Sequence, residues 1–165
     1  MNTIDSLVKE IEREAQTTRK HFERLPSDKL DWRPHQKSFT AGALASHIVD
    51  CVGWTDSIFN LDELDVDPAT YKTYQATSVD DLLKTFDDKV ANCRQILMGA
   101  TDATLIQPWR LKVRGRLMFE KARAAVLRDF ILSHLIHHRG QFSVYLRLLD
   151  VPVPGSYGPS ADEQT

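Results

Sequence analysis

The chain has 165 residues, 42% of them hydrophobic and 27% charged, with 21 Lys and Arg against 23 Asp and Glu. This length and balance fit one globular domain over residues 1–165 and exclude wholesale disorder, while a formal charge of −2 provides no global attraction to nucleic acid or to an anionic membrane. No apolar run approaches the roughly 18 residues that span a bilayer, no basic or apolar leader opens the chain, and Cys51 and Cys93 cannot form a disulfide framework, so a cytoplasmic location is expected.

Four stretches carry apolar residues at helical spacing. The first, Thr3 to Leu25, places Ile4, Val8, Ile11, Ala15, Thr18 and Phe22 on one face. Pro26 and Pro34 mark the connection that follows, with His35 in a Pro-flanked loop. The second stretch, Phe39 to Leu61, has the stripe Thr40, Leu44, His47, Cys51, Trp54, Ile58 and Leu61. An acidic connection with Asp62, Glu63, Asp65, Asp67 and Pro68 leads to the third, Val79 to Gly99, where Val79, Leu82, Phe86, Val90, Cys93 and Leu97 repeat by threes and fours. Ser78 and Asp81 at its start resemble a capping box. Trp109-Arg-Leu-Lys-Val, Arg114-Gly115 and Arg116-Leu-Met-Phe read as a small β-hairpin. The fourth stretch runs from Lys121 to Leu149, and the Pro- and Gly-rich tail from Asp150 cannot be a regular helix. The expected fold is all-α: a four-helix bundle with long connections, a β-hairpin between helices 3 and 4, and an irregular C-terminal tail.

The informative residues stand where the stripes call for apolar ones. In the fourth stretch the inward face reads Leu127, Ile131, His134, His138, Phe142, Tyr145 and Leu149. At about 100° per residue, His134 and His138 differ by only about 40° around the axis. His47 lies mid-stripe on the second helix. A buried imidazole is costly unless its polar atoms are satisfied. Three neutral imidazoles can together hold one divalent cation and leave a further position for water or substrate. Satisfied core histidines are the competing reading, and His137, about 60° from His134 around the axis, competes for a place in the site. His21 and His35 read as surface residues.

Neighbouring residues divide in the same way. Cys51, one turn from His47, is either a thiolate ligand or a small buried apolar residue, the latter favoured. Asp50 is an acceptor that orients the His47 ring or an exposed carboxylate. The Gln141 amide serves the histidines or bonds locally. Gly140 marks a close approach of another backbone, since a mid-helix glycine costs about 1 kcal/mol against alanine. Arg139 points away from the inward face toward the surface or the tail. Tyr145 either donates a hydrogen bond near the histidines or simply packs. Lys112, Arg114, Arg116, Lys121 and Arg123 form a solvated basic face or a receiver for an anionic cosubstrate.

Three segments carry a family resemblance. Ser133-His-Leu-Ile-His-His-Arg-Gly-Gln141 is similar to the fourth-helix signature of DinB/YfiT-like proteins. Trp32-Arg-Pro-His35, with Ser38-Phe39 and Leu44-Ala-Ser-His47, resembles the start of the family's second helix. Leu148-Leu-Asp-Val-Pro-Val-Pro and Tyr157-Gly-Pro-Ser-Ala-Asp-Glu163 resemble the ending of a subgroup. The resemblance implies a DinB-type bundle, commonly a homodimer, with His47, His134 and His138 holding a divalent metal. Nickel and zinc are the usual ions, iron and manganese the others. It also implies a place in a superfamily containing thiol-dependent transferases.

An open metal position can lower the pKa of a bound thiol or generate hydroxide from water. The expected function is therefore a metal-dependent enzyme, thiol S-transferase-like or hydrolytic, acting on a small molecule such as a low-molecular-weight thiol. The alternative is a non-catalytic metal- or ligand-binding stress-response protein. No individual catalytic residue is assigned. His-Glu-x-x-His, Gly-x-Ser-x-Gly and Walker motifs are absent, which disfavours zincin, serine-hydrolase and nucleotide-binding chemistry. Neither nucleic acid nor a membrane is an expected partner.

Overall fold

The computed structural model describes residues 3–163. Helix α1 (Thr3–Phe22) buries Ile4, Leu7, Val8, Ile11, Ala15, Thr18 and Phe22 along the predicted face. Helix α2 (Ala41–Asn60) begins at Thr40, whose side chain accepts from the Ala43 N–H at 3.1 Å. After strand β1 (Glu63–Val66) comes helix α3 (Val79–Gly99), with Ser78 accepting from the Asp81 N–H at 3.0 Å. Only this half of the expected capping box forms. The Asp81 carboxylate instead accepts from the Thr77 N–H and the Tyr74 hydroxyl, so it secures the incoming loop. A short helix α4 (Asp102–Ile106) has the complete box, with Thr101 and Thr104 capping each other.

Strands β2 (Pro108–Val113) and β3 (Arg116–Ala122) form the expected hairpin. Arg114 (φ 50°) and Gly115 (φ 75°) make its two-residue turn, with both central residues in the left-handed conformation that suits the twist of the strands. The all-α expectation is corrected by β1, which pairs parallel to β2 and creates a three-stranded sheet, β1-β2-β3. The acidic connection is thus part strand, and its carboxylates answer the basic residues of the hairpin: Lys112 with Glu63 at 2.7 Å and Arg114 with Asp67 at 2.9 Å. Asp65 accepts from the Gly115 N–H.

The last long helical stretch has three parts: α5 (Arg123–Val126), a π-helical segment (Leu127–Ser133) and α6 (His134–Leu148). Arg123 is buried. Its guanidinium donates to the carbonyls of Ile58 and Leu61 and pairs with Asp62, so it caps the C-terminal end of α2. After α6 the chain leaves through a Schellman turn. Asp150 takes the left-handed conformation (φ 57°), its N–H donates to Arg147 O, and the Val151 N–H donates to Leu146 O. The tail is irregular, as expected, and fixed. Asp162 pairs with Arg147 and accepts from the Val153 N–H, while Glu163 accepts from the Gly155 N–H. A Cβ on Gly155 would collide with the Gly158 carbonyl, so only glycine fits there. Gly140 is different: nothing lies within 4 Å of a Cβ built on it, and no backbone approaches as expected.

Helix α2 packs against α3 and α6, and α1 packs against the same two helices. Phe22 is central, edge-on to Phe86 at 5.1 Å and to Phe142 at 5.6 Å. Trp109 is fully buried beneath the sheet, with its indole N–H donating to Ser57 O at 3.0 Å. Among the described residues, no helix is long and apolar enough to cross a membrane.

Two residues read as surface groups lie inside the fold. Arg139 is buried against Glu14 of α1 at 2.8 Å, and Tyr157 of the tail completes the group, donating to Glu14 at 2.9 Å and accepting from Arg139 at 2.9 Å. The tail contact was anticipated; the depth was not. His21 is also buried. One ring nitrogen contacts Thr17 O at 2.8 Å, and Nε2 has no partner. Desolvation, with some help from the Arg139 charge, pushes its pKa below the ordinary 6.5. The unfolded histidine therefore takes up a proton at a pH where the folded one does not. Stability should be lost as pH falls below about 6.5 toward the lower folded value. Thermal unfolding of the wild type and His21→Leu between pH 7 and pH 5 checks this. The variant should lose less stability on acidification, and equal losses would refute the assignment.

Candidate metal centre

The two helices that carry the histidines are neighbours, and their predicted inward faces meet. The rings of His47, His134 and His138 gather in one cluster. Their centroids are 5.0 Å (His47–His134), 4.7 Å (His47–His138) and 4.6 Å (His134–His138) apart. His47 Nε2 faces His134 Nε2 at 3.3 Å. Two facing neutral imidazole nitrogens can share at most one proton between them, whereas two lone pairs converging on a cation are both satisfied. His137 stacks edge-on to His138 at 4.8 Å from the exposed side of α6 and does not enter the cluster.

The environment disfavours protonation of all three histidines. Burial is the main cause of the lowered pKa in each, and repulsion between neighbouring imidazoles adds to it. His134 is the most affected, its pKa pushed down to about 4. His134 follows directly on the π-helical segment. π-helical turns widen a helix locally and are common beside functional residues. The His138 Nδ1 lies 2.7 Å from Gln141 Oε1. An amide oxygen only accepts, so His138 carries its proton on Nδ1 and leaves the Nε2 lone pair available.

His47, Cys51 and His134 form a group that could hold a metal ion, with ligand atoms within 4.8 Å of one another. The histidine nitrogens are ready to bind; the thiol is not. Burial and the nearby Asp50 charge push the Cys51 pKa up to about 12, so a proton must leave before sulfur can ligate. Asp50 does not reach the His47 ring. Both its oxygens receive the Tyr74 N–H, at 3.3 and 3.2 Å, which pins the loop between β1 and α3 over the site. Ser46 helps by accepting from the Ala76 N–H. Tyr145 donates to Phe39 O at 3.1 Å and braces the loop before α2.

A cavity of about 120 Å³ opens beside His47, Cys51 and His134. Trp54, Phe130 and Tyr71 wall it, and Asp50 and Thr73 add its polar edges. Trp54 and Phe130 stack nearly parallel, 5.7 Å apart. Tyr71 and Thr73 had no sequence signal, since they belong to an irregular loop. Phe130 did: it is one turn before His134 and about 40° from it around the axis, the same offset as between His134 and His138. None of the five basic residues lines the cavity, and Lys112, Arg114, Lys121 and Arg123 are paired with carboxylates elsewhere.

Comparison with known proteins identifies the family and the fold. The family model of the DinB family matches residues 1–165. An uncharacterised protein of Bacillus subtilis, YrdA, is 28% identical over 164 residues, covering 98% of this chain and 92% of that one. The crystal structure of a DinB-like protein from Bacillus cereus superposes with a TM-score of 0.73 at 22% identity, covering 93% of this chain and 97% of the other. A second DinB-like protein, YjoA of Bacillus subtilis, gives 0.70 at 18% identity over 93% and 99% of the two chains. The match over the whole length places the protein: this chain belongs to the DinB family.

Proposed function

We propose that the chain is a divalent-metal protein in which His47, His134 and His138 are the ligands, and that it works as a metal-dependent enzyme on a small molecule. The supporting observation is the meeting of three neutral imidazoles, two of them with Nε2 atoms 3.3 Å apart. Two nitrogens bound tetrahedrally at about 2.0–2.1 Å from zinc stand about 3.3–3.4 Å from each other, so the spacing fits. Nickel and zinc suit an all-imidazole set, and iron or manganese can occupy it. When bound, the ion supplies Lewis acidity, lowering the pKa of a thiol or water in its open position.

The protein's own residues supply the rest. Gln141 fixes the tautomer of His138, and the aromatic wall of Trp54, Phe130 and Tyr71 limits water. Asp50 anchors the covering loop. Thiol transfer is placed ahead of hydrolysis on the strength of the resemblance to thiol-dependent transferases. Elemental analysis of tag-free protein beside His47→Ala and His138→Ala tests the metal. About one equivalent in the wild type, lost in both variants, is the expected result. A wild type that carries no metal and takes none up on reconstitution overturns the reading.

A further inference from the structure

The cavity beside the histidines has a composition of its own. Its volume, about 120 Å³, approaches the roughly 150 Å³ of an engineered cavity that accepts benzene, so one ring or a short branched chain fills it. Three aromatic side chains, Trp54, Tyr71 and Phe130, form its wall, and Asp50 is the carboxylate at its edge. No lysine or arginine lines it. Aromatic faces and a carboxylate around a small water-poor space are the elements that recognise an organic cation, through ring quadrupoles and a charge-assisted hydrogen bond.

Asp50 has capacity for such a partner. Its two oxygens share a single donor, the Tyr74 N–H, and a carboxylate can accept about four hydrogen bonds. Lys89 acts on it only through space. Lys89 and Lys72 line a separate outer hollow, which shares Asp50, Trp54 and Tyr71 with the cavity.

We propose that the cavity binds a small primary amine, with its ammonium between Asp50 and the rings of Tyr71 and Trp54 and its hydrocarbon part against Phe130. Asp50 is then the residue that sets specificity. The proposal rests on the reading of this cavity as the substrate space of the metal centre, and it narrows that substrate to amine-bearing molecules.

The Trp54 indole N–H resonance, assigned with Trp54→Phe, reports on occupancy. Zinc-loaded and chelator-treated protein are each titrated with benzylamine and with benzyl alcohol, which have the same ring and differ in charge. Benzylamine should bind about tenfold tighter than the alcohol in both forms. In Asp50→Asn, which keeps an oxygen for the Tyr74 N–H, the two ligands should bind within about twofold of each other. Phe130→Trp, which fills the cavity, should weaken both, and it carries the test if Asp50→Asn does not fold. Equal binding by the wild type, a preference that survives Asp50→Asn, or undiminished binding in Phe130→Trp overturns the proposal. Amine selectivity in a protein that takes up no metal would sustain the amine site and refute the metal reading. Metal uptake without selectivity would do the opposite.

Discussion

Arg139→Met lowers the melting temperature by about 10 °C. The Arg139 and Glu14 side chains are each only 2% exposed and are 2.8 Å apart, and Tyr157 adds hydrogen bonds to both. Removing Arg139 leaves the Glu14 carboxylate buried with only the exposed Arg13 guanidinium, 3.3 Å away, to offset its charge, at a cost toward the lower end of about 3–5 kcal/mol. In a chain of this size each kcal/mol corresponds to about 2–4 °C. The double variant Glu14→Leu with Arg139→Met removes both charges and should recover most of the loss, because an apolar pair of similar volume is often as stable as a buried ion pair. Differential scanning calorimetry of the three proteins decides the matter. A single variant that melts within about one degree of the wild type would mean that the pair contributes little.

Gln141→Leu weakens metal binding by about 10- to 100-fold while leaving the fold intact. Gln141 is exposed, so its loss disturbs no core packing. Its oxygen 2.7 Å from His138 Nδ1 is what holds that ring in one tautomer and orientation. Acceptors in this position typically contribute a factor of that size to affinity. Gln141→Glu preserves the acceptor and should preserve affinity. A competition titration against a chromogenic chelator measures both variants, and circular dichroism confirms their fold. Unchanged affinity in Gln141→Leu would show that His138 needs no such support, or that it is not a ligand.

The parts of this molecule legible in the sequence depend on neighbours close along the chain. The α3 boundaries follow from Ser78 and an uninterrupted stripe, and the hairpin follows from Arg114-Gly115 between alternating segments. The gathering of His47, His134 and His138 was legible because helical spacing fixes which side chains share a face. Other features depend on partners far away. Strand β1 has four residues and no signal of its own, and it becomes a strand only by pairing with β2 (Glu63 with Arg110). Arg139 is buried because Glu14, 125 residues earlier, meets it there. No composition or periodicity announces such a pairing. The π-helical segment is equally silent, since a wider turn has no residue signature.

The Glu14 group also constrains when the protein can complete itself during synthesis. Two of this carboxylate's partners come late: Arg139 in the last helix, and Tyr157, 143 residues downstream; the third, Arg13 at 3.3 Å, stands beside it on α1 and is itself exposed. Helix α1 precedes both, with an acidic residue on the face it must bury and only the exposed Arg13 guanidinium beside it. Docking that face early would strand a charge in the core, and closing so long a loop is itself slow. The seal formed by Glu14, Arg139 and Tyr157 can close only once the segments carrying all three are present, so it ties α1 to the last helix and to the tail.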